Sequence, residues 1–182
     1  LLDIFASDAD AWTGSDVRSE LFSYKAANGI EYRGVCMKFI DTEDIDETQK
    51  RYDPFVLRLS EMYLIRAEAA CHDGDIETAV SDIATLEARA RGVKASEINV
   101  VYSNAEELDR IIRRERVKEL FLEGHRLFDL TRRHETLSRD AACGSSVLSM
   151  TYPDDRFILP IPLVELDANE AMQPNPINGT QR

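Results

Sequence analysis

Glu115, Glu119 and Glu123 recur every fourth residue, and His125 follows two positions after the last of them. Side chains four apart share one face of a helix, so this spacing gathers three carboxylates along a single line, with an imidazole close after them in the chain. Three chemistries are open to such a set. It could ligate a metal; di-iron bundles, however, draw a Glu-x-x-His motif from each of two helices. Here the order is Glu123-Gly124-His125, and one such helix is present. It could supply the two carboxyl groups of glycoside hydrolysis. A chain with 34 Asp and Glu offers many such pairs, and nothing around these marks a pocket. Or the carboxylates could tie the fold together. The last reading is favoured because the apolar stripe that opens the helix, Leu108, Ile111 and Ile112, continues directly onto the three glutamates.

Acidic side chains on a core-facing line are costly unless paired and hydrogen-bonded. Arg66 poses the same conflict, four residues after Met62 and seven after Leu59 on an apolar face. The spacing therefore predicts a partly buried network in which Arg66, Arg116 or Arg126 meets Glu115, Glu119, Glu123 or Asp129, the guanidinium fork taking a carboxylate through two bonds. Weaker candidates are Cys71-His72, without a partner pair, and His134 beside Arg132 and Arg133, which suits the dipole of a helix end. Trp12 could stack on a sugar face, although pinning its Asp-rich loop to the core is the simpler role. Cys36, Cys71 and Cys143 are too scattered for a disulfide framework or a zinc site. No Gly-rich phosphate loop, Gly-x-Ser-x-Gly or His-Glu-x-x-His occurs, and no cofactor or metal is expected.

These side chains need helices to place them. Residues 53–91 read as a helix pair: Asp53 and Pro54 start the first member, Gly74 closes it, Asp75 caps the second and Gly92 ends it. The second helix carries Ile76, Ala79, Val80, Ile83 and Ala90 as one stripe. The first is apolar most of the way round, which predicts a central helix with neighbours on several faces. A further helical segment covers 103–134, begun by Ser103 or Asn104, with Ser103 and Glu106 matching a capping box and Gly124 breaking the run. Residues 1–52 lack helical period; Asn28-Gly29 suits a two-residue hairpin turn between 22–26 and 30–35. Val35–Ile40 reads as a short extended run, 41–51 as a surface connection, and 137–152 as loop. Four prolines predict an extended, docked tail over 153–176.

The formal charge of −12 argues against a nucleic-acid surface and against a patch for anionic lipid. No run of about 18 apolar residues is present. The chain opens on Leu1 without a signal peptide, and a fragment or processed product is the expectation.

LRLSEMYLIRAEAACHDGDIETAVSDIATLEARA, RRERVKELFLEGHRLFDLTRR and LPIPLVELDANEAMQPNP, in that order, resemble the helical and closing signatures of the SusD/RagB family. Asp16-Val17-Arg18 and Lys38-Phe39 resemble its shorter elements. The likeness runs over roughly 16–176; it departs at QPNPIN, where the family has QNPGY, and at Thr85-Leu86. The resemblance implies a mainly α fold of tetratricopeptide-like helix pairs with long irregular loops and a small hairpin. It implies that 1–182 forms one domain, the C-terminal part of a longer protein, with 53–91 as one helix pair. It implies a non-catalytic, surface-exposed lipoprotein of the outer membrane that captures an oligosaccharide or other nutrient for a TonB-dependent, SusC-like transporter. The lipid anchor would lie outside this chain. Loop aromatics such as Trp12, Tyr24 and Tyr32 would contribute to the ligand site. The rival reading is a tetratricopeptide-type scaffold for a protein partner.

Overall fold

A computed structural model describes residues 16–25, 28–33, 36–39, 55–139, 141 and 144–176. Trp12, Asp53, Pro54, Cys143 and the acidic stretch 41–51 lie outside them. The chain divides into two units, Leu1–Gly124 and His125–Arg182.

The first unit is built on three helices: α1 Leu59–Asp73, α2 Ile76–Arg91 and α3 Ala105–Glu119. The turn between α1 and α2 is written locally. Gly74 takes the left-handed conformation at φ 88°, and the Asp75 N–H returns to the Ala70 carbonyl at 2.9 Å. Asp75 then accepts from the Thr78 N–H at 3.1 Å, and Gly92 closes α2 at φ 67°. Alanines let the pair approach closely: Ala67 of α1 and Ala79 of α2 are fully buried with Leu64 and Ile83. Leu108 and Ile112 of α3 complete this core together with Cys71, Leu86 and Leu120. Ahead of the helices, a 3₁₀ turn over Val17–Phe22 leads into a two-stranded antiparallel hairpin, β1 Ser23–Lys25 and β2 Glu31–Arg33.

The second unit holds α4 His125–Arg133, a short antiparallel ladder of β3 Leu137–Ser138 with β4 Ser149–Met150, and α5 Leu163–Ala168. Leu130, Met150 and Phe157 form its small core. The His134 ring stacks on Tyr152, centroids 4.2 Å apart.

Several boundaries differ from the sequence reading. α1 begins at Leu59, not near Asp53; Arg58 precedes it in extended conformation. Its outer face stays open, with Leu59 69% and Ile65 47% exposed, so among the described residues α1 is packed on one side only. Of the two expected starts of α3, Ser103 and Asn104, the cap is Asn104, and the capping-box partner shifts with it. Asn104 accepts from the Glu107 N–H at 2.9 Å, and Glu107, not Glu106, reaches back to the Ser103 N–H at 2.7 Å. α3 stops at Glu119, ahead of Gly124, so Glu123 lies in the following turn. Pairing of Lys25 with Glu31 leaves 26–30 between the strands, a longer connection than a two-residue turn; the Asn28 side chain accepts the Ile30 N–H across it. Residues 36–39 form no strand. The tail is not wholly extended, because Pro162 fits ahead of a helix's first turn and α5 follows it at once.

Candidate functional site

The end of α3 carries the chemistry of the first unit. Glu115 and Glu119 point from one helix face into the interior, 1% and 5% exposed. Each needs cations, and these come from segments without helical period. Arg18, in the 3₁₀ turn, is first held by Asp16 through two parallel bonds, Nε–Oδ1 at 2.9 Å and Nη2–Oδ2 at 2.7 Å. Its remaining Nη1 donates to Glu115 and, at 3.2 Å, to Glu119 Oε2. Arg58, just before α1, takes Glu123 through Nε at 2.8 Å and Nη2 at 2.7 Å, and its Nη1 donates to Glu119 Oε1. Lys38 pairs with Glu123 and donates to the backbone carbonyls of Glu119 at 2.7 Å and Phe121 at 3.0 Å. The last carbonyl of α3, that of Glu119, thus takes two cations, Lys38 and Arg58 through its Nη2. Positive charge also suits the negative end of the helix dipole, which is why the helix can stop without a glycine.

The electrostatics follow from this crowding. Burial by itself would push the Glu119 carboxyl up, but hydrogen bonding and charge from Arg58, with charge from Arg18, hold it at about 2. Glu123 is lowered against its burial by bonds from Arg58 and Lys38. Burial pushes the Lys38 ammonium down despite its bond to Glu123. Glu87 is raised, first by burial and then by the charge of Glu115.

The predicted partners are placed differently. Arg66 is turned to α2, where its fork holds the buried Asp82 at 2.7 and 2.6 Å, a tie across the helix pair. Its side chain is 62% exposed, so it does not reach the glutamate row. Arg116 is buried on α3. Arg126 lies 3.9 Å from Glu135, and Asp129 accepts from Arg132 at 3.0 Å; both pairs are local to the second unit, and His125 opens α4 there. Tyr24 and Tyr32 are Cα partners in the register of the hairpin. Arg18, Asp16, Lys38, Arg58 and Asp82 went unassigned as partners in the sequence reading. Asp16, Arg18 and Lys38 stood in the short elements of the family resemblance, but spacing alone gave no sign of their partners.

Beside the network the surface opens into a cavity of about 680 Å³. Arg18, Lys38, Arg58, Arg89, Lys118 and Glu119 contribute its polar wall, and Phe55, Tyr63 and Phe121 its aromatic wall. Arg89 on α2 reaches Glu119 Oε1 at 3.1 Å. Among the described residues no group of three or more His, Cys, Asp or Glu side chains is placed to hold a metal ion, and no helix is long and apolar enough to cross a membrane. The glutamates are engaged by cations, which leaves them poorly suited to hold a metal or to work as an acid and base pair.

The model of the SusD family matches residues 23–177. The chain belongs to the SusD family. Solved structures agree with that membership. A SusD superfamily protein of Bacteroides vulgatus ATCC 8482 is 29% identical at a TM-score of 0.65, the match covering 90% of this chain and 36% of that one. A second protein of the same organism, named for a proposed sugar-binding role, is 26% identical at 0.72, covering 96% and 37%. A SusD superfamily protein of Parabacteroides distasonis ATCC 8503, 22% identical at 0.69 over 95% and 41%, shares the fold. The chain therefore spans well under half the length of these SusD relatives. No match was found among curated proteins. The mainly α architecture, with its tetratricopeptide-like pair α1–α2, is that of the family.

Proposed function

We propose that this SusD-family chain belongs to a non-catalytic binding protein that captures an oligosaccharide at the cell surface. The reading continues to delivery: the bound nutrient passes to a TonB-dependent, SusC-like transporter in the outer membrane, to which the protein is held by a lipid anchor. The observation that carries it is the family match over 23–177, joined to a sugar-binding role proposed for a similar structure. The geometry is compatible with binding rather than turnover, because the buried carboxylates are committed to ion pairs and Glu119 is held ionised. Trp12, Tyr24 and Tyr32 are proposed as contributors from the loops and hairpin, since aromatic faces stack on sugar rings and their two rotatable side-chain angles cost little entropy to order.

Isothermal titration against a panel of neutral and acidic oligosaccharides tests the proposal. Heat of binding to at least one glycan, weakened by Trp12→Ala or Tyr32→Ala, is expected. Silence across the whole panel would overturn it.

The open face of α1 favours a second reading. Leu59, Met62 and Ile65, with Phe55, Val56 and Leu57 ahead of them, form an exposed apolar row on a tetratricopeptide-like pair. Such a row suits a protein partner.

A further inference from the structure

Three features single out the cavity in the first unit. The first is charge. Five cations line it, and the carboxylates that contact them among the described residues are four: Asp16, Glu115, Glu119 and Glu123. Glu87 also lies within electrostatic reach of Lys118 and Arg18, so charges of both signs are concentrated at this wall.

The second is Arg89. Its side chain is 70% exposed, and its one ion pair among the described residues is with Glu119. That carboxylate is already satisfied without it: Oε1 accepts from Arg58 and Oε2 from Arg18. Arg89 is a third guanidinium on one acceptor. A guanidinium has five N–H donors in a planar fork, and most of this fork is left for a carboxylate from outside.

The third is Lys118. It is 6% exposed, and the carboxylate oxygen described nearest its ammonium, Glu115 Oε2, lies at 3.5 Å. Charge-assisted bonds normally close to about 2.7–2.9 Å. Glu115 and Glu87 act on this ammonium by charge, and neither is shown closing to that distance, so a buried ammonium on a cavity wall still has a charge-assisted bond to gain from an incoming anion. The rest of the wall is apolar and aromatic, with Tyr63 and Phe55 beside the cations, and the volume falls within the roughly 300–1,000 Å³ typical of small-molecule sites.

We propose that this cavity is a subsite for a carboxylate-bearing sugar, a uronic acid unit of an oligosaccharide, with Arg89 as the exposed fork and Lys118 as the buried charge. The aromatic wall supplies a face for the ring, and the cations select the acid. The proposal rests on the glycan-binding reading above and names its ligand class.

The test is titration of the protein with trigalacturonate, maltotriose, a short glutamate peptide and inorganic sulfate, at low and high salt. Trigalacturonate is expected to bind more tightly than maltotriose, with affinity falling as salt rises. Arg89→Gln is expected to lower that affinity about tenfold without lowering the melting temperature, because Glu119 keeps Arg58 and Arg18; Arg89→Lys should recover part of the loss. Lys118→Met should weaken trigalacturonate and leave maltotriose unchanged. Binding of maltotriose without preference for trigalacturonate would overturn the subsite and leave the glycan reading standing. Equal affinity for sulfate or the glutamate peptide would overturn the sugar assignment. An unchanged trigalacturonate affinity in Arg89→Gln would overturn the site itself.

Discussion

Arg18 and Glu115 lie 97 positions apart and are joined by a buried ion pair, side chains 9% and 1% exposed. Arg18 arrives there already oriented, because Asp16, two residues earlier, holds the other edge of the same guanidinium. The pair fastens the 3₁₀ turn onto the middle of the helical unit, and Glu119 shares the same donor.

Removing the cation should expose the cost of that arrangement. Arg18→Leu leaves Asp16, Glu115 and Glu119 short of a donor in a dry setting, and breaking a buried pair from one side typically costs about 3–5 kcal/mol. Urea unfolding should register a loss of that order; a change under about 1 kcal/mol, the range of exposed pairs, would show that the network is solvated.

Acid should weaken the protein in a defined window. The Glu119 carboxyl ionises at about 2 in the folded state against 4.5 ordinarily, so as pH falls the unfolded chain takes up its proton first. Stability from this group is complete above 4.5 and is lost as pH drops toward about 2. Glu123 is lowered as well and adds in the same direction. Urea midpoints measured across this range should fall steadily with acid. Glu119→Gln should be less stable at neutral pH and show a shallower acid slope; an unaltered slope would remove Glu119 from the explanation.

The α1–α2 turn offers a backbone test. Gly74 holds φ 88°, and a Cβ built there meets nothing within 4 Å. Any penalty in Gly74→Ala therefore comes from the left-handed conformation alone, about 1–2 kcal/mol. Thermal unfolding should show it, without change in helical circular dichroism.

The core of the pair should respond to a cavity in the usual way. Leu64 is fully buried against α2 and α3. Leu64→Ala should cost about 2–5 kcal/mol by chemical denaturation, well above the effect of Ile65→Ala on the open face of the same helix.

Sequence alone determined whatever depends on neighbours within one helical turn. Gly74, Asp75 and Gly92 specify where the helix pair turns and ends, since left-handed φ and side-chain caps are local requirements. The four-residue spacing of Glu115 and Glu119 after an apolar stripe was enough to turn them inward, because helix geometry leaves them nowhere else. Tertiary structure decided which cations they meet. Arg18, Lys38 and Arg58 come from segments with no period to read, and their distance along the chain hides the pairing until the helices have packed. It also decided that α3 ends at Glu119, since the cations that take its last carbonyl are supplied from elsewhere. Arg66 was read toward the wrong acid for the same reason: Asp82 is buried directly across the helix pair, and a guanidinium takes the carboxylate its own rotamers can reach.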